Sequence, residues 1–247
     1  MLNLSIIIPV FNESAKVQED ILAADRFLIS EGMTGEIIIV DDGSTDKTST
    51  AAEKAANDVQ TTCLVEPPGG HYGKGHAVRT GILKSGGEYV LFADSGNCIP
   101  YTDANIGIEM IRSGQCSLAH GSRKLSNRHI KHSQSPYRKI CSQLFHWFLI
   151  HDIKRLGNLT DTQCGFKLYR GDVARELYAE SIIDGFMFDI EIILLGLSKG
   201  YKIQEFPVNW TWDPDSRLKP MHEILNIFRD LVHLKKRFGQ FLRESRR

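Results

Sequence analysis

The chain has 247 residues, 42% of them hydrophobic, enough for one large domain with a full core. Lysine plus arginine and aspartate plus glutamate number 30 each, so the charge balance excludes a generally basic, nucleic-acid-coating protein. The five cysteines, Cys63, Cys98, Cys116, Cys141 and Cys164, contain no close pair and point to reduced thiols rather than a disulfide framework or a zinc site.

The run Leu4 to Val10 follows the first residues directly, with no basic leader, and predicts a strand buried on both faces rather than a signal peptide. No stretch approaches the roughly 18 apolar residues of a membrane-spanning helix, so a protein that is soluble or rests on a membrane surface is expected. Val17, Ile21, Ala24 and Leu28 recur at helical spacing and predict a helix over Asn12 to Gly32. A second buried strand, Glu36 to Val40, closes in Asp41-Asp42-Gly43-Ser44. A helix over 45–57, a strand over 62–66, a glycine-flanked Lys74, a helix over 75–85 and a strand from Tyr89 to Ala93 follow. This alternation predicts an α/β fold, a mostly parallel central sheet with right-handed crossovers and helices on its faces.

The second half predicts a helix over 103–113, a strand over 117–121 and a basic stretch over 122–139. An apolar helix over 140–150 follows, then a loop at Asp161 entering a strand, a helix over 188–197 and a strand over 202–210. One domain over 1–220 is expected, with an amphipathic basic helix over 221–247 packed on it or extending from it. That last helix carries Ile224, Phe228, Leu231, Phe238 and Leu242 on one side and Lys235, Lys236, Arg237 and Arg243 near its end. It is either a core-packing helix or one that lies on an anionic surface.

Ligands of open α/β sheets bind beyond the carboxyl ends of the strands. The fourth strand ends there in Asp94-Ser95-Gly96-Asn97, delivering one carboxylate to that edge. A second acid at position 96 would complete a metal-holding pair, and glycine stands in its place.

Three segments belong together: Pro9-Val10-Phe11-Asn12-Glu13, Val40-Asp41-Asp42-Gly43-Ser44-Thr45-Asp46 and Gly73-Lys74-Gly75. With them the chain resembles the family 2 inverting glycosyltransferases over nearly its whole length. The resemblance implies the GT-A fold and a UDP- or GDP-hexose donor. It assigns the reading of the base to Asp42, with Asp41 as second choice, since carboxylates accept from base N–H groups. Pro9, Phe11 and Glu13 would line the base and ribose pocket, and Lys74 and Ser95 would meet the nucleotide, the glycines beside Lys74 allowing close backbone approach. Asp94 would be the first acid of the family's Asp-x-Asp motif, holding Mg²⁺ or Mn²⁺ against the diphosphate. Because of Gly96, three readings stand side by side. Asp94 holds the metal with diphosphate and water alone; Asn97 or Asp103 assists while basic residues share the charge; or the protein binds nucleotide-sugar without transferring it.

Gly121-Ser122-Arg123, Ser135-Pro136-Tyr137-Arg138, Asp161 to Tyr169, Phe188-Asp189-Ile190-Glu191 and Phe206 to Trp210 resemble the polyprenyl-phosphate sugar transferases within that family. These act on dolichyl-type phosphates. The resemblance implies a polyprenyl phosphate acceptor at the cytoplasmic face of a membrane, with the protein cytoplasmic or peripheral there, and no nucleic-acid partner. Arg123 and Arg138 would clamp the acceptor phosphate, whose oxygens suit the guanidinium fork. Asp161 and Gln163 would line the donor-sugar pocket, and Ser135, Asp189 and Glu191 the acceptor and sugar side. Asp189 and Glu191, two apart on a helix, do not share a face; each either touches the sugar or orders a loop. A hydroxyl acceptor would instead require a general base, for which Asp189 or Glu191 is the candidate.

Overall fold

The computed structural model of the protein describes residues 2–66, 69–125, 159–211 and 220–244. Ser135, Arg138 and the expected helix over 140–150 lie outside those residues. Strands β1 (Leu4–Val10), β2 (Gly35–Asp41), β3 (Thr62–Glu66) and β4 (Tyr89–Ala93) alternate with helices α1 (Val17–Ser30), α2 (Thr48–Asn57) and α3 (Lys74–Lys84). A 3-10 turn at Tyr101–Asp103 leads into α4 (Ala104–Arg112). Then come β5 (Leu118–Ser122), β6 (Phe166–Arg170), α5 (Gly171–Glu180), α6 (Phe188–Ser198), β7 (Ile203–Pro207) and α7 (Pro220–Glu244).

The seven strands form one sheet in the order β3-β2-β1-β4-β6-β5-β7. Pairing is parallel except at β6, which runs antiparallel to both β4 and β5. The central strands are buried on both faces, as their unbroken Ile/Val/Leu runs require. One face packs against α1, α2 and α4; the other packs against α3, α5 and α6, and Leu234 and Phe238 of α7 complete it. The reversal of β6 sets up the site. Ala93 pairs with Phe166, so the loop before β6 arrives at the same edge where β4 ends.

Two helix starts fall later than the hydrophobic spacing suggests. Asn12 adopts φ +56, outside the helical region, and its side chain accepts N–H groups of Thr45 (2.8 Å) and Asp46 (3.3 Å). The Glu13 N–H donates to Thr48 Oγ1 at 2.8 Å. These residues fasten the β1 end to the β2 loop instead of starting α1. Asp46 accepts the Thr48 N–H at 2.9 Å in an Asx turn that precedes α2. Helix α5 was not expected, although Val173, Ala174, Leu177 and Tyr178 form its buried stripe. Among the described residues no helix is long and apolar enough to cross a membrane.

Candidate active site

The site gathers at the carboxyl edge of β1, β2 and β4. Asp41 and Asp42 end β2 and are buried. Asp41 shapes its own loop: Oδ1 accepts the Ser44 N–H at 2.8 Å, and Oδ2 accepts the Ser49 hydroxyl. Asp42 reaches across to the third loop instead. It accepts the N–H groups of Tyr72 (2.9 Å) and Gly73 (3.0 Å to each oxygen), and His71 Nδ1 lies 2.9 Å from Oδ2. A carboxylate offers about four acceptor positions. Three protein donors approach the Asp42 carboxylate, whereas Asp41 accepts two hydrogen bonds among the described residues and keeps more capacity for a ligand. His71 also stacks on the half-exposed ring of Phe11, with centroids 4.2 Å apart and planes at 19°. Pro9 sits in β1 opposite Val40, and Glu13 lies 3.7 Å from the Lys16 ammonium.

Asp42 thus holds down the loop that carries Lys74. Gly73 (φ +121) and Gly75 press against the backbone carbonyls of Asp184 and Ile183, where a Cβ would collide. Glycine is needed there for approach as well as for conformation. Lys74 opens α3 and places its ammonium 2.6 Å from Asp94 Oδ1 and 5.3 Å above the Phe92 ring. Burial works against the charge on Lys74, but the Asp94 and Asp189 carboxylates outweigh it and raise its pKa. Asp94 donates its N–H to Gly165 O at 2.8 Å, and its carboxylate lies over Gly165, where any Cβ would overlap it.

A second ion pair stands behind the first. The fully buried Lys167 ammonium lies 2.6 Å from Asp189 Oδ1 and 2.7 Å from the Cys164 carbonyl, and 5.8 Å from the same Phe92 ring. Burial raises the Asp189 carboxyl pKa, with Lys167 and Lys74 pulling against it. Glu191, on the other side of α6, is wholly buried. It accepts the Ile182 and Ile183 N–H groups at 3.0 and 2.9 Å and the Arg237 guanidinium at 2.5 Å. Its carboxylate orders the 182–184 segment and does not face a sugar.

Arg123 leaves the end of β5 and meets Asp161 in a two-point contact, Nε to Oδ2 at 2.7 Å and Nη2 to Oδ1 at 2.8 Å, with its own N–H on Oδ2 at 3.1 Å. The guanidinium also packs over Trp210 at 5.8 Å. Burial opposes ionisation of Asp161, yet Arg123 holds its carboxyl below the ordinary value of 3.8. Glu205 seats this loop by accepting the N–H groups of Thr160 (2.7 Å) and Asp161 (2.6 Å). Lys74–Asp94 and Arg123–Asp161 stand at the ends of β4 and β5, at the same edge of the sheet, on either side of the loop that enters β6 between them. Gln163 Nε2 is buried there without a partner among the described residues. Buried His120 likewise has neither ring nitrogen partnered among them. Burial and then Lys167 push its pKa well below 6.5, which keeps the imidazole neutral.

Sequence reasoning missed Lys167, Gly165, His71, Glu205 and Asp20. Asp20 was legible, because it stands next to Ile21 on the buried stripe of α1, where an acid needs a partner. It finds one in the residues after Asp94. Its carboxylate accepts the Ser95 hydroxyl at 2.6 Å and the N–H groups of Gly96 (2.9 and 3.1 Å) and Asn97 (3.1 Å). No group of three or more acid, histidine or cysteine side chains suited to a cation occurs among the described residues.

Residues 5–178 match the profile named "Glycosyl transferase family 2". Human dolichyl-phosphate beta-glucosyltransferase is 30% identical, over 95% of this chain and 75% of its own length. The Saccharomyces cerevisiae protein of the same name is 29% identical, over 94% and 74%. Among solved structures, glucosyl-3-phosphoglycerate synthase from Mycobacterium tuberculosis superposes with a TM-score of 0.69 at 18% identity, covering 96% of this chain and 81% of that one. A second structure of it, with Mn²⁺, UDP-glucose and glycerol 3-phosphate, gives 0.66 at 18% identity, covering 96% and 80%. At that identity the likeness establishes the fold, GT-A.

Proposed function

The chain belongs to glycosyl transferase family 2, and from that premise we propose that it transfers a hexose from a UDP- or GDP-sugar to a dolichyl-type polyprenyl phosphate. The acceptor rests on the curated relatives, which are named for that lipid phosphate. The observation that carries the reading is the presence of two charged centres at one edge of the sheet, Lys74 with Asp94 and Arg123 with Asp161, flanking the loop into β6. One suits a departing diphosphate and the other an arriving phosphate.

The reaction is an in-line displacement with inversion. An acceptor phosphate oxygen forms a bond to the anomeric carbon as the bond from that carbon to the nucleoside diphosphate breaks. A phosphate is ionised near neutral pH, so no side chain has to remove a proton. The enzyme has to hold two anionic groups together and stabilise the charge on the leaving one. Arg123 serves the acceptor: Asp161 and Trp210 fix its plane, while Nη1 has no hydrogen-bond partner among the described residues. Arg138 and Ser135 are assigned to the same side from the sequence. Lys74 serves the diphosphate, with Phe11, Pro9 and Glu13 around the nucleotide; the Ser95 hydroxyl, expected there too, instead donates to Asp20. The base-reading role moves to Asp41, because Asp42 is committed to the Lys74 loop. Gln163 offers a free donor to a sugar hydroxyl, and Asp189 keeps Lys167 and Lys74 in register.

For a divalent cation the described residues at this edge offer the carboxylate of Asp94. Asp94, 40% exposed at its side chain and seated on bare Gly165, fits Mg²⁺ or Mn²⁺ that arrives with the donor diphosphate and water. There the ion would neutralise charge on the leaving group. We place the transferase domain in 1–220, with the last helix against it, at the cytoplasmic face of a membrane. Exposed Phe228 and Val232 among the basic residues of α7 support contact with an anionic surface.

The test is product formation from UDP-glucose, UDP-galactose, GDP-mannose and GDP-glucose, each with dolichyl phosphate and Mn²⁺. Transfer from one donor that Asp94→Ala abolishes supports the reading. Absence of lipid product with every donor, combined with transfer to a soluble sugar, overturns the acceptor.

A further inference from the structure

The residues that follow Asp94 do not point their N–H groups into the cleft. They point them at α1. Asp20 is 1% exposed, and its two oxygens together take one hydroxyl and two backbone N–H groups from three consecutive residues, Ser95, Gly96 and Asn97. Asn97 adds a side-chain bond to the Glu19 carbonyl at 3.2 Å. Such a clasp demands an unusual backbone, and the loop has one: Gly96 lies at φ +97 and Asn97 at φ +47. Glycine tolerates that region freely and asparagine better than most residues.

This geometry gives position 96 a reason to be glycine. An aspartate there would be strained at φ +97, and relaxing that strain would turn the Gly96 N–H away from Asp20. The clasped turn and a two-acid motif are therefore alternatives. Building on the proposed role of Asp94 as the metal and diphosphate ligand, we infer that Asp20 is the positioning residue for that ligand: from α1 it fixes the turn that aims the Asp94 carboxylate, doing by hydrogen bonding what a second acid in the loop would do by ligation. Asp94 is thereby held from both sides, by Gly165 through its own N–H and by Asp20 through the three residues after it.

Residues that orient a metal ligand typically change metal affinity by about 10–100-fold when removed, so Asp20→Ala should raise the Mn²⁺ midpoint for donor binding by about tenfold or more. The measurement is calorimetric titration of UDP-glucose and GDP-mannose at a series of Mn²⁺ concentrations, with UDP binding in chelator as the internal reference. Asp20→Asn keeps an oxygen for the Gly96 and Asn97 N–H groups and should stay close to the parent protein. UDP binding in chelator should be unchanged in both variants, which loss of general packing would not allow. If Asp20→Ala does not fold, Asp20→Glu keeps the charge and moves it by one methylene, and should shift the Mn²⁺ midpoint in the same direction. A metal-dependent parent with an unshifted midpoint in the variant overturns the role of Asp20 alone. Donor binding by the parent protein that ignores Mn²⁺ overturns the metal assignment at Asp94, and the role of Asp20 with it.

Discussion

The Lys74 ammonium lies 2.6 Å from Asp94 Oδ1, so the carboxylate that would meet a divalent cation already holds a positive charge of the protein's own. The two cations compete for one oxygen unless a diphosphate stands between them. On the proposed reading donor and metal would enter together, with Lys74 turning from Asp94 to the phosphates.

Mn²⁺ titrated into the nucleotide-free protein should give no saturable heat, and it should bind once UDP is added. Lys74→Met should move the two properties in opposite directions. UDP affinity should fall by about tenfold or more, the scale of a lost charge-assisted hydrogen bond, while Mn²⁺ binding without nucleotide appears. Saturable Mn²⁺ binding by the unaltered, nucleotide-free protein would refute the competition.

Gly165→Ala puts a methyl group into the Asp94 carboxylate. The carboxylate has to rotate away, so metal-dependent donor binding should be lost while UDP binding in chelator persists. Overpacking of this kind costs about 1–3 kcal/mol, which a urea melt will register.

Lys167 and Asp189 are almost completely buried, with side chains 1% and 5% exposed. Asp189→Leu alone strands an ammonium in the core and should destabilise the fold by about 3–5 kcal/mol. Adding Lys167→Met should restore much of that loss. Failure of the double variant to recover would mean that the pair contributes more than mutual neutralisation.

Asp161 supplies a pH dependence of known sign. Its folded pKa is depressed, chiefly by Arg123 acting against burial, so the contact stabilises the protein above the unfolded value of 3.8. That contribution is lost as pH falls through the lower folded value. Asp161→Asn should lower stability by about 1–3 kcal/mol near neutrality, a figure kept modest because Arg123 is 37% exposed. The gap to the parent protein should close only below about pH 4. A gap that closes near pH 6 would point to a different titrating group.

Much of the first half was legible because parallel strands covered on both faces are written as unbroken apolar runs, and β1, β2 and β4 fall where those runs fall. The acids at the strand ends were legible for the same reason. Hydrophobic spacing cannot show that Asn12 adopts φ +56, so α1 was drawn too long. Nor can it show that a strand from the second half enters the sheet reversed, between β4 and β5. The ties that hold Asp42 to the Lys74 loop and Glu191 to the 182–183 segment were not legible, because they run largely through backbone N–H groups, which every residue type but proline carries and no motif displays. Asp20 escaped notice because its partners lie a long way along the chain.

The reversed strand has a consequence for the order in which the protein is made. Until β6 is in place, β4 has β1 on one side and an open edge on the other, and open edges invite wrong partners. The loops after β1, β2 and β3 belong to chain that leaves the ribosome early, but Gly165, Asp161 and Lys167 emerge only after β4 and β5 have done so. Before that, Asp94 lacks both its floor and the cleft's second charged pair. A nascent or truncated chain ending before β6 would carry the recognisable motifs and no working centre, and it would rely on a chaperone or on speed to keep β4 unpaired.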